Sequence, residues 1–544
     1  MENNLMIVNT KRIIATLTTA LFLAACGGGG SSTPTNPPPT GGGGGGNEPT
    51  FTAGVFEDDS LFKNRCENPR TFNDINGDPY PDTQGSVLYE NHWLRSWSND
   101  TYLWYNEITD VDPATYNDPL AYFDILKTTA ITASGKDKDE FHFTRDTTEY
   151  EQATQTGVSV SYGIDWELVR SSPPRELYIR YIQPASPADE PSLNLRRGTK
   201  VTAIDGVDVE NGTDVDTLNA GLFPTQNGET HTFTVQDVGS TTTRDVVLSA
   251  TEVAEDPVPY VEVFSTPTGN VGYMMFNTFG TFLAEDEVVT AMTQFSNSNV
   301  TDLVIDLRYN GGGFLYIASQ LAYMIAGNNA TTGKTFETLR FNDKHTSVNP
   351  VTGNPINPTP FYNTTSQYSE QYGSGTSLPQ LNLNRVYILT TDGTCSASEA
   401  LINGLRGIDI EVVLIGATTC GKPYGFYATD NCGVTYFTIQ FDGINDKGEG
   451  GYADGFTPMN DPFGAGILQN GCYVEDDITS LLGVTSEPML AAALNYRTSG
   501  ACPTITKSGV QSLQTILPKY DGLGGNQRLV REMKLLDDPF KKNQ

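Results

Sequence analysis

Histidine is scarce in this chain. Only 4 of its 544 residues are His, namely His92, His142, His231 and His345. No CxxC pair and no Cys/His cluster accompanies them, so no metal or other cofactor is expected. Basic residues are also few. Lys and Arg total 33 against 65 Asp and Glu, giving a formal net charge of -32 and a pI near 4.3. Such a surface repels nucleic acid and anionic lipid headgroups and excludes both as expected partners; its ordinary role is solubility. The GxxxxGK[ST] pattern of a phosphate cradle is absent. The N-terminal apolar run, Ile13 to Ala25, is too short to span a bilayer permanently.

That run follows Lys11 and Arg12 and ends Leu23-Ala24-Ala25-Cys26-Gly27. It has the build of a signal peptide over residues 1–25 and resembles a bacterial lipobox, which implies cleavage before Cys26 and lipid on the new N-terminus. An ordinary cleaved signal is the alternative. Gly27 in place of Asp leans toward the outer membrane. Residues 26–50, almost all Gly, Ser, Pro, Thr and Asn, form no core and read as a flexible tether of about 25–30 Å. Setting Cys26 aside leaves six cysteines, Cys66, Cys395, Cys420, Cys432, Cys472 and Cys502. An even number in an exported chain permits disulfides. Proximity in sequence puts Cys420 with Cys432 and Cys472 with Cys502.

The length implies several domains. Residues 88–130 read as helical: Trp93, Trp97 and Trp104 recur at helical spacing as a core stripe. A second helix is expected from Asp118 as N-cap and Pro119 at the first position, with Leu120, Phe123 and Leu126 on one face. Asp74, Asn76, Asp78 and Asp82 carry part of an EF-hand spacing. Pro79 stands where Gly is needed and Gly85 where Glu is needed, so a polar turn is the better reading. Between 157 and 254, short β-like runs such as Glu176–Ile182 and Val201–Ile204 are divided by Gly and Asn turns. From about 256, near-continuous apolar strands alternate with helices. Strands are expected at 271–276, 303–307, 386–390 and 411–415, and helices near 284–297, 314–325 and 397–406. This pattern predicts a mostly parallel, covered sheet.

Three loops follow three of these strands, and loops at the carboxyl edge of such a sheet usually build sites. They hold Arg308-Tyr309-Asn310-Gly311-Gly312-Gly313, Thr394-Cys395-Ser396-Ala397-Ser398-Glu399 and Thr419-Cys420-Gly421-Lys422-Pro423. Ser396 lies where a strand turns into a helix, facing free amides and the positive helix end; as a lone feature it would be an N-cap. Lys422, after the next strand of the same β-α-β unit, supplies a base. A lysine desolvated by an apolar wall, for which Phe426 and Tyr424 are candidates, can accept the serine proton. The glycines allow close backbone approach, and the amides of Gly312 and Ala397 would form an oxyanion hole.

These three ordered motifs, behind Ser186-Pro187-Ala188, Leu195-Arg196-Arg197-Gly198 and Val201–Val207, resemble the S41 family of C-terminal processing (tail-specific) peptidases. The resemblance spans roughly residues 88–500. It implies an α/β multidomain fold: an N-terminal helical segment (51–156), a PDZ-like β-rich domain (157–254) and a mostly parallel α/β peptidase core (255–502), then a C-terminal extension (503–544). It implies Ser396 as nucleophile, Lys422 as general base, and Gly312 with Ala397 as oxyanion hole. Substrates would be envelope proteins or peptides whose C-terminal tails dock in a PDZ groove, with Tyr162-Gly163-Ile164 as the carboxylate loop. An inactive peptide- or hydrophobic-ligand-binding relative is the alternative function. Three departures stand out. Many members carry Gln four residues after the Lys, where this chain has Phe426. The Ser-to-Lys interval is one residue longer, with the extra residue placed in the Gly407–Glu411 turn. Cys395 and Cys420 flank the catalytic pair, either as a disulfide that fixes spacing or acts as a redox control, or as buried thiols.

Overall fold

A computed structural model describes residues 48–132, 134–170, 172–504 and the backbone of 534–535. The signal peptide, the lipidated Cys26, most of the tether and most of the C-terminal extension lie outside the described residues. Among the described residues no helix is long and apolar enough to cross a membrane.

The N-terminal segment is organised by α1 (Val87–Thr101). Trp93 and Trp97 are one helical turn apart, buried and stacked with ring centroids 5.1 Å apart. The helix ends at Thr101, so Trp104 leaves the expected stripe and packs edge-on against Tyr102 and Tyr424 instead. Asp118 caps the Leu120 amide and Pro119 opens a helix, but that helix stops at Phe123. Phe123 and Leu126 are buried while Leu120 is 43% exposed, which corrects the expected apolar face. The acidic run 74–82 is a turn. The Asp74 carboxylate accepts the amides of Asn76 and Asp78, and Asp82 forks onto Arg70. The strand Phe143–Asp146 pairs with Val434–Phe437, and Cys66 is bonded to Cys432 across 366 residues of sequence. The N-terminal segment is thereby sewn into the C-terminal half of the chain.

Next comes a β-rich body with an antiparallel sheet in the order β5-β4-β3-β2-β1. Five of its six strands are β1 (Ile164–Arg170), β2 (Glu176–Ile182), β3 (Lys200–Ile204), β4 (Thr230–Gln236) and β5 (Thr243–Ser249), and the short sixth, Val207–Asp208, pairs with β3. Leu177, Val201, Ile204 and Phe233 pack beneath Leu218 of helix α2 (Val215–Leu222). β1 stands at one edge of this sheet.

The α/β core is a six-stranded mixed sheet whose spatial order follows the chain: β6 (Tyr260–Thr266), β7 (Gly269–Met275), β8 (Val300–Asp306), β9 (Arg385–Thr390), β10 (Glu411–Gly416) and β11 (Gly471–Tyr473). β6 is antiparallel to β7; every other pairing is parallel. Successive residues face opposite sides. Ile305 and Ile388 pack on α3 (Leu283–Asn297), α4 (Leu315–Ala326) and α5 (Ala397–Gly407), while Val304 and Leu389 pack with Met489 and Leu490 of α6 (Pro488–Ser499). Both faces are covered, which explains why these strands read as unbroken apolar runs. Asp409, with φ of 62°, makes the turn between α5 and β10 where the additional residue was placed.

The disulfides are Cys66–Cys432, Cys395–Cys420 and Cys472–Cys502. The expected Cys420–Cys432 pair is not formed. Cys432 lies in the hairpin that joins the N-terminal segment, whereas Cys420 ends a loop beside that of Cys395, so separation in sequence misjudged separation in space. Lys534–Leu535 pairs in parallel with Gly313–Phe314.

Candidate active site

The loops after β8, β9 and β10 meet at the carboxyl edge of the sheet. Backbone and side-chain bonds lace them together. Cys395 N donates to Asn310 O (3.1 Å), Ser398 Oγ to Asn310 O (3.1 Å), Thr394 Oγ1 to Leu307 O (2.8 Å) and Cys420 N to Thr394 O (3.1 Å). The Cys395–Cys420 disulfide adds a covalent tie between the second and third loops.

Ser396 is the N-cap of α5, with φ 61° and ψ -111°. A non-glycine residue in this region is strained and persists only where its surroundings hold it. Its side chain is fully buried at the start of the helix.

The sequence reading missed the group that holds the strain. Glu399, one turn into α5, is fully buried and gathers four donors. Its Oε2 accepts the amides of Ser396 (2.9 Å) and Lys422 (2.8 Å); its Oε1 accepts Thr419 Oγ1 (2.5 Å) and the Gly421 amide (2.9 Å). The serine and lysine amides therefore converge on one oxygen atom. Burial pushes the Glu399 carboxyl above its ordinary range, while the Thr419 hydroxyl and the three amides pull it back. The available signal was the Ser396-x-x-Glu399 spacing, a pattern for a helix start.

Lys422 is also fully buried. Its Nζ lies 4.3 Å from the ring centroid of Phe141 and 4.6 Å from that of Phe426. The rings facing Nζ are those of Phe426 and Phe141, and Tyr424 packs against the cluster that contains Phe141 and meets Trp104 edge-on. His142, next to Phe141, is held neutral, pushed down to about 4 by burial, and its ring nitrogens face Thr438 Oγ1 and Phe123 O.

Ala397 opens α5 and is buried. Gly312 and Gly313 have φ of 109° and 135°, and a Cβ on Gly313 would sit 2.2 Å from the Phe279 carbonyl carbon. Only glycine fits there. The Gly312 amide donates to Asn310 Oδ1 (2.9 Å), so in this conformation it is engaged within its own loop. The same loop carries a buried charge cluster. Arg308 pairs with Asp306, Glu487 (2.9 Å) and Asp476 (2.7 Å), and Tyr309 Oη donates to Asp476. From the β-rich body, Arg197 reaches both Tyr309 Oη and Asp476 (2.6 Å). Burial would raise Asp476, but the Arg308 and Arg197 guanidiniums outweigh it and hold the carboxyl well below the usual range.

Ser396, Lys422, Gly312 and Ala397 are thus brought to one sheet edge, while Tyr162, Gly163 and Ile164 lie apart in the β-rich body. Tyr162 is buried, with its carbonyl accepting the Ala188 amide (3.0 Å). Gly163 has φ of 75° with Ser186 packed against it, and its amide donates to Ser161 Oγ (3.2 Å). Ile164 opens the edge strand β1.

Comparison with known proteins gives a consistent picture. A carboxyl-terminal-processing protease of Picosynechococcus sp. is 24% identical over 245 residues, which cover 44% of this chain and 49% of that protein; the match thus spans about half the length of the relative. A Bacteroides fragilis crystal structure, described as a candidate S41 protease, superposes with a TM-score of 0.55 at 22% identity, covering 78% of this chain and 100% of that one. It shares the fold. Residues 270–426 match the family model for Peptidase family S41 and residues 89–141 that for the Peptidase S41 N-terminal domain.

Proposed function

We propose that the protein is a serine endopeptidase in which Ser396 is the nucleophile and Lys422 the general base. The observation that carries this reading is the strained backbone of the fully buried Ser396 at the start of α5, with its amide and that of Lys422 converging on Glu399 Oε2. Ser396 Oγ attacks the scissile carbonyl carbon and its proton passes to the Lys422 amine. The ammonium then gives that proton to the leaving amine, and water releases the acyl group from Ser396. The oxyanion is received by the Ala397 amide and by the Gly312 amide, once the latter leaves Asn310 Oδ1. Metal chemistry plays no part in the proposal.

The substrates in this reading are envelope proteins or peptides. Their C-terminal tails add to edge strand β1 of a PDZ-like body, with the carboxylate held at Tyr162-Gly163-Ile164. Docking there raises the local concentration of the scissile bond. In this reading the lipobox-like Cys26 carries lipid that anchors the enzyme at the periplasmic face of the envelope, with Gly27 leaning toward the outer membrane. Purified wild-type protein is expected to cleave an unfolded protein substrate, and Ser396→Ala and Lys422→Ala to abolish cleavage. Undiminished cleavage by both variants removes the assignment. A binding role without catalysis is the second reading, favoured by the engaged Gly312 amide and by Phe426; a serine-directed covalent probe that fails to label Ser396 would support it.

A further inference from the structure

Lys422 is held by two aromatic faces that come from distant parts of the chain. Phe426 follows it by four residues, and Phe141 belongs to the N-terminal segment. Their centroids lie 4.6 and 4.3 Å from Nζ, within the range in which a ring quadrupole attracts an ammonium. Both rings are buried and anchored by their own contacts. Phe426 meets Phe143 and Phe437 edge-on, at 6.0 and 5.3 Å. The Phe141 amide donates to Asp139 Oδ1 (2.9 Å), and Asp139 Oδ2 accepts Tyr102 Oη (2.7 Å).

We infer that Phe141 and Phe426 are positioning residues for the general base, acting as a π clamp that holds the Lys422 ammonium and directs Nζ. The inference rests on the Ser396/Lys422 reading. An aliphatic wall would only strip water from the amine, which disfavours its charged form. Two ring faces restore part of the lost solvation without supplying a hydrogen-bond acceptor, and they favour the ammonium that must exist between deprotonation of Ser396 and protonation of the leaving amine. The clamp also explains why the N-terminal segment is tied so firmly to the core: half of the lysine's aromatic environment comes from it.

Several ionisable groups stand on the elements packed around Lys422. Glu399 faces the loop amides and Thr419, Asp139 faces Tyr102, His142 faces Thr438 and Phe123, and Lys136 donates to Cys420 O. Tyr424 lies against Trp104, and Asp454 lies on the segment packed against Gly421. None of these is altered in the variants that test the clamp.

The test is the rate at which a fluorophosphonate labels Ser396, measured across pH in the full chain. Phe426→Leu and Phe141→Leu keep the site apolar but remove one π face each. Each is expected to move the acid limb of the rate profile to lower pH by about one unit, equivalent to about 1.4 kcal/mol of lost ammonium stabilisation. Phe426→3,5-difluorophenylalanine weakens the quadrupole with little change of shape, so it keeps the test valid if a leucine variant fails to fold; its limb should shift in the same direction by less. A limb that stays in place in the fluorinated variant and in the folded leucine variants overturns the clamp. Lys422→Ala separates the two levels. Labelling that survives it would remove the underlying Ser/Lys reading, whereas labelling lost with Lys422→Ala but with a limb indifferent to both rings would overturn the clamp alone.

Discussion

Replacing Glu399 by Gln is a near-isosteric change with a consequence that can be worked out atom by atom. The carboxylate now accepts two donors on each oxygen: Ser396 N and Lys422 N on one, Thr419 Oγ1 and Gly421 N on the other. Glutamine offers one carbonyl oxygen and one NH2 group. If its NH2 faces the first pair, two buried amides lose their acceptor, at about 1–3 kcal/mol each. If it faces the second pair, the Thr419 hydroxyl can rotate to accept, and only the Gly421 amide is orphaned. The protein will take the cheaper arrangement, so Glu399→Gln should lower folding stability by about 1–3 kcal/mol. The orphaned amide adjoins Lys422, so the same misfit should slow fluorophosphonate labelling of Ser396 roughly 10–100-fold, at about 1.4 kcal/mol per tenfold. Urea unfolding and labelling kinetics on one preparation measure both quantities. A Gln variant as stable and as reactive as wild type would refute the claim that this carboxylate sets the register of the two loops.

Other outcomes follow from the same geometry. Gly313→Ala forces a Cβ to within 2.2 Å of the Phe279 carbonyl carbon at a φ of 135°, so labelling of Ser396 should fall at least tenfold while far-UV circular dichroism is preserved. Asp476 has a depressed folded pKa, so the stability it contributes is complete above its unfolded value near ~3.9 and is lost as pH falls through the lower folded value. Asp476→Asn should therefore be less stable than wild type by about 3 kcal/mol at pH 7, with the gap closing below about pH 4 in urea titrations. The double change Cys395→Ser with Cys420→Ser opens a cross-link of sequence separation 25, worth about 3 kcal/mol in the chain-entropy account, and should lower both the urea midpoint and the rate of Ser396 labelling. Cys66→Ser with Cys432→Ser, at a separation of 366, should free the N-terminal segment to limited proteolysis first.

Much of the α/β core was legible because its strands are covered on both faces. Runs such as Val386–Leu389 and Val412–Ile415 carry no polar interruption, and the turns between them are marked by Gly and by Ser396 at a helix start. The three site loops were legible for the same reason: each directly follows one of those strands. Long-range partners were not. Phe141 has no local signal tying it to Lys422, some 280 residues later, and Asp476 reads as an ordinary acidic loop residue until Arg308 and Arg197 are seen beside it. Glu399 was in plain sight as a helix-start residue; its second task, gathering the lysine loop, depends on how β10 lies beside β9. The Trp104 and Leu120 expectations failed because α1 and the Pro119–Phe123 helix end sooner than periodicity implies. Of the two expected disulfides Cys472–Cys502 is formed, and Cys420–Cys432 failed because the chain doubles back to bring Cys66 to Cys432.

The central claim is that the Ser396 hydroxyl is a nucleophile made reactive by the Lys422 amine. Peptide mapping of the intact protein after brief exposure to a fluorophosphonate at pH 8 tests it most directly. The account predicts one phosphonyl adduct, located on Ser396, and none in Lys422→Ala. An adduct on another serine, or an equal yield on Ser396 without the lysine, would contradict it.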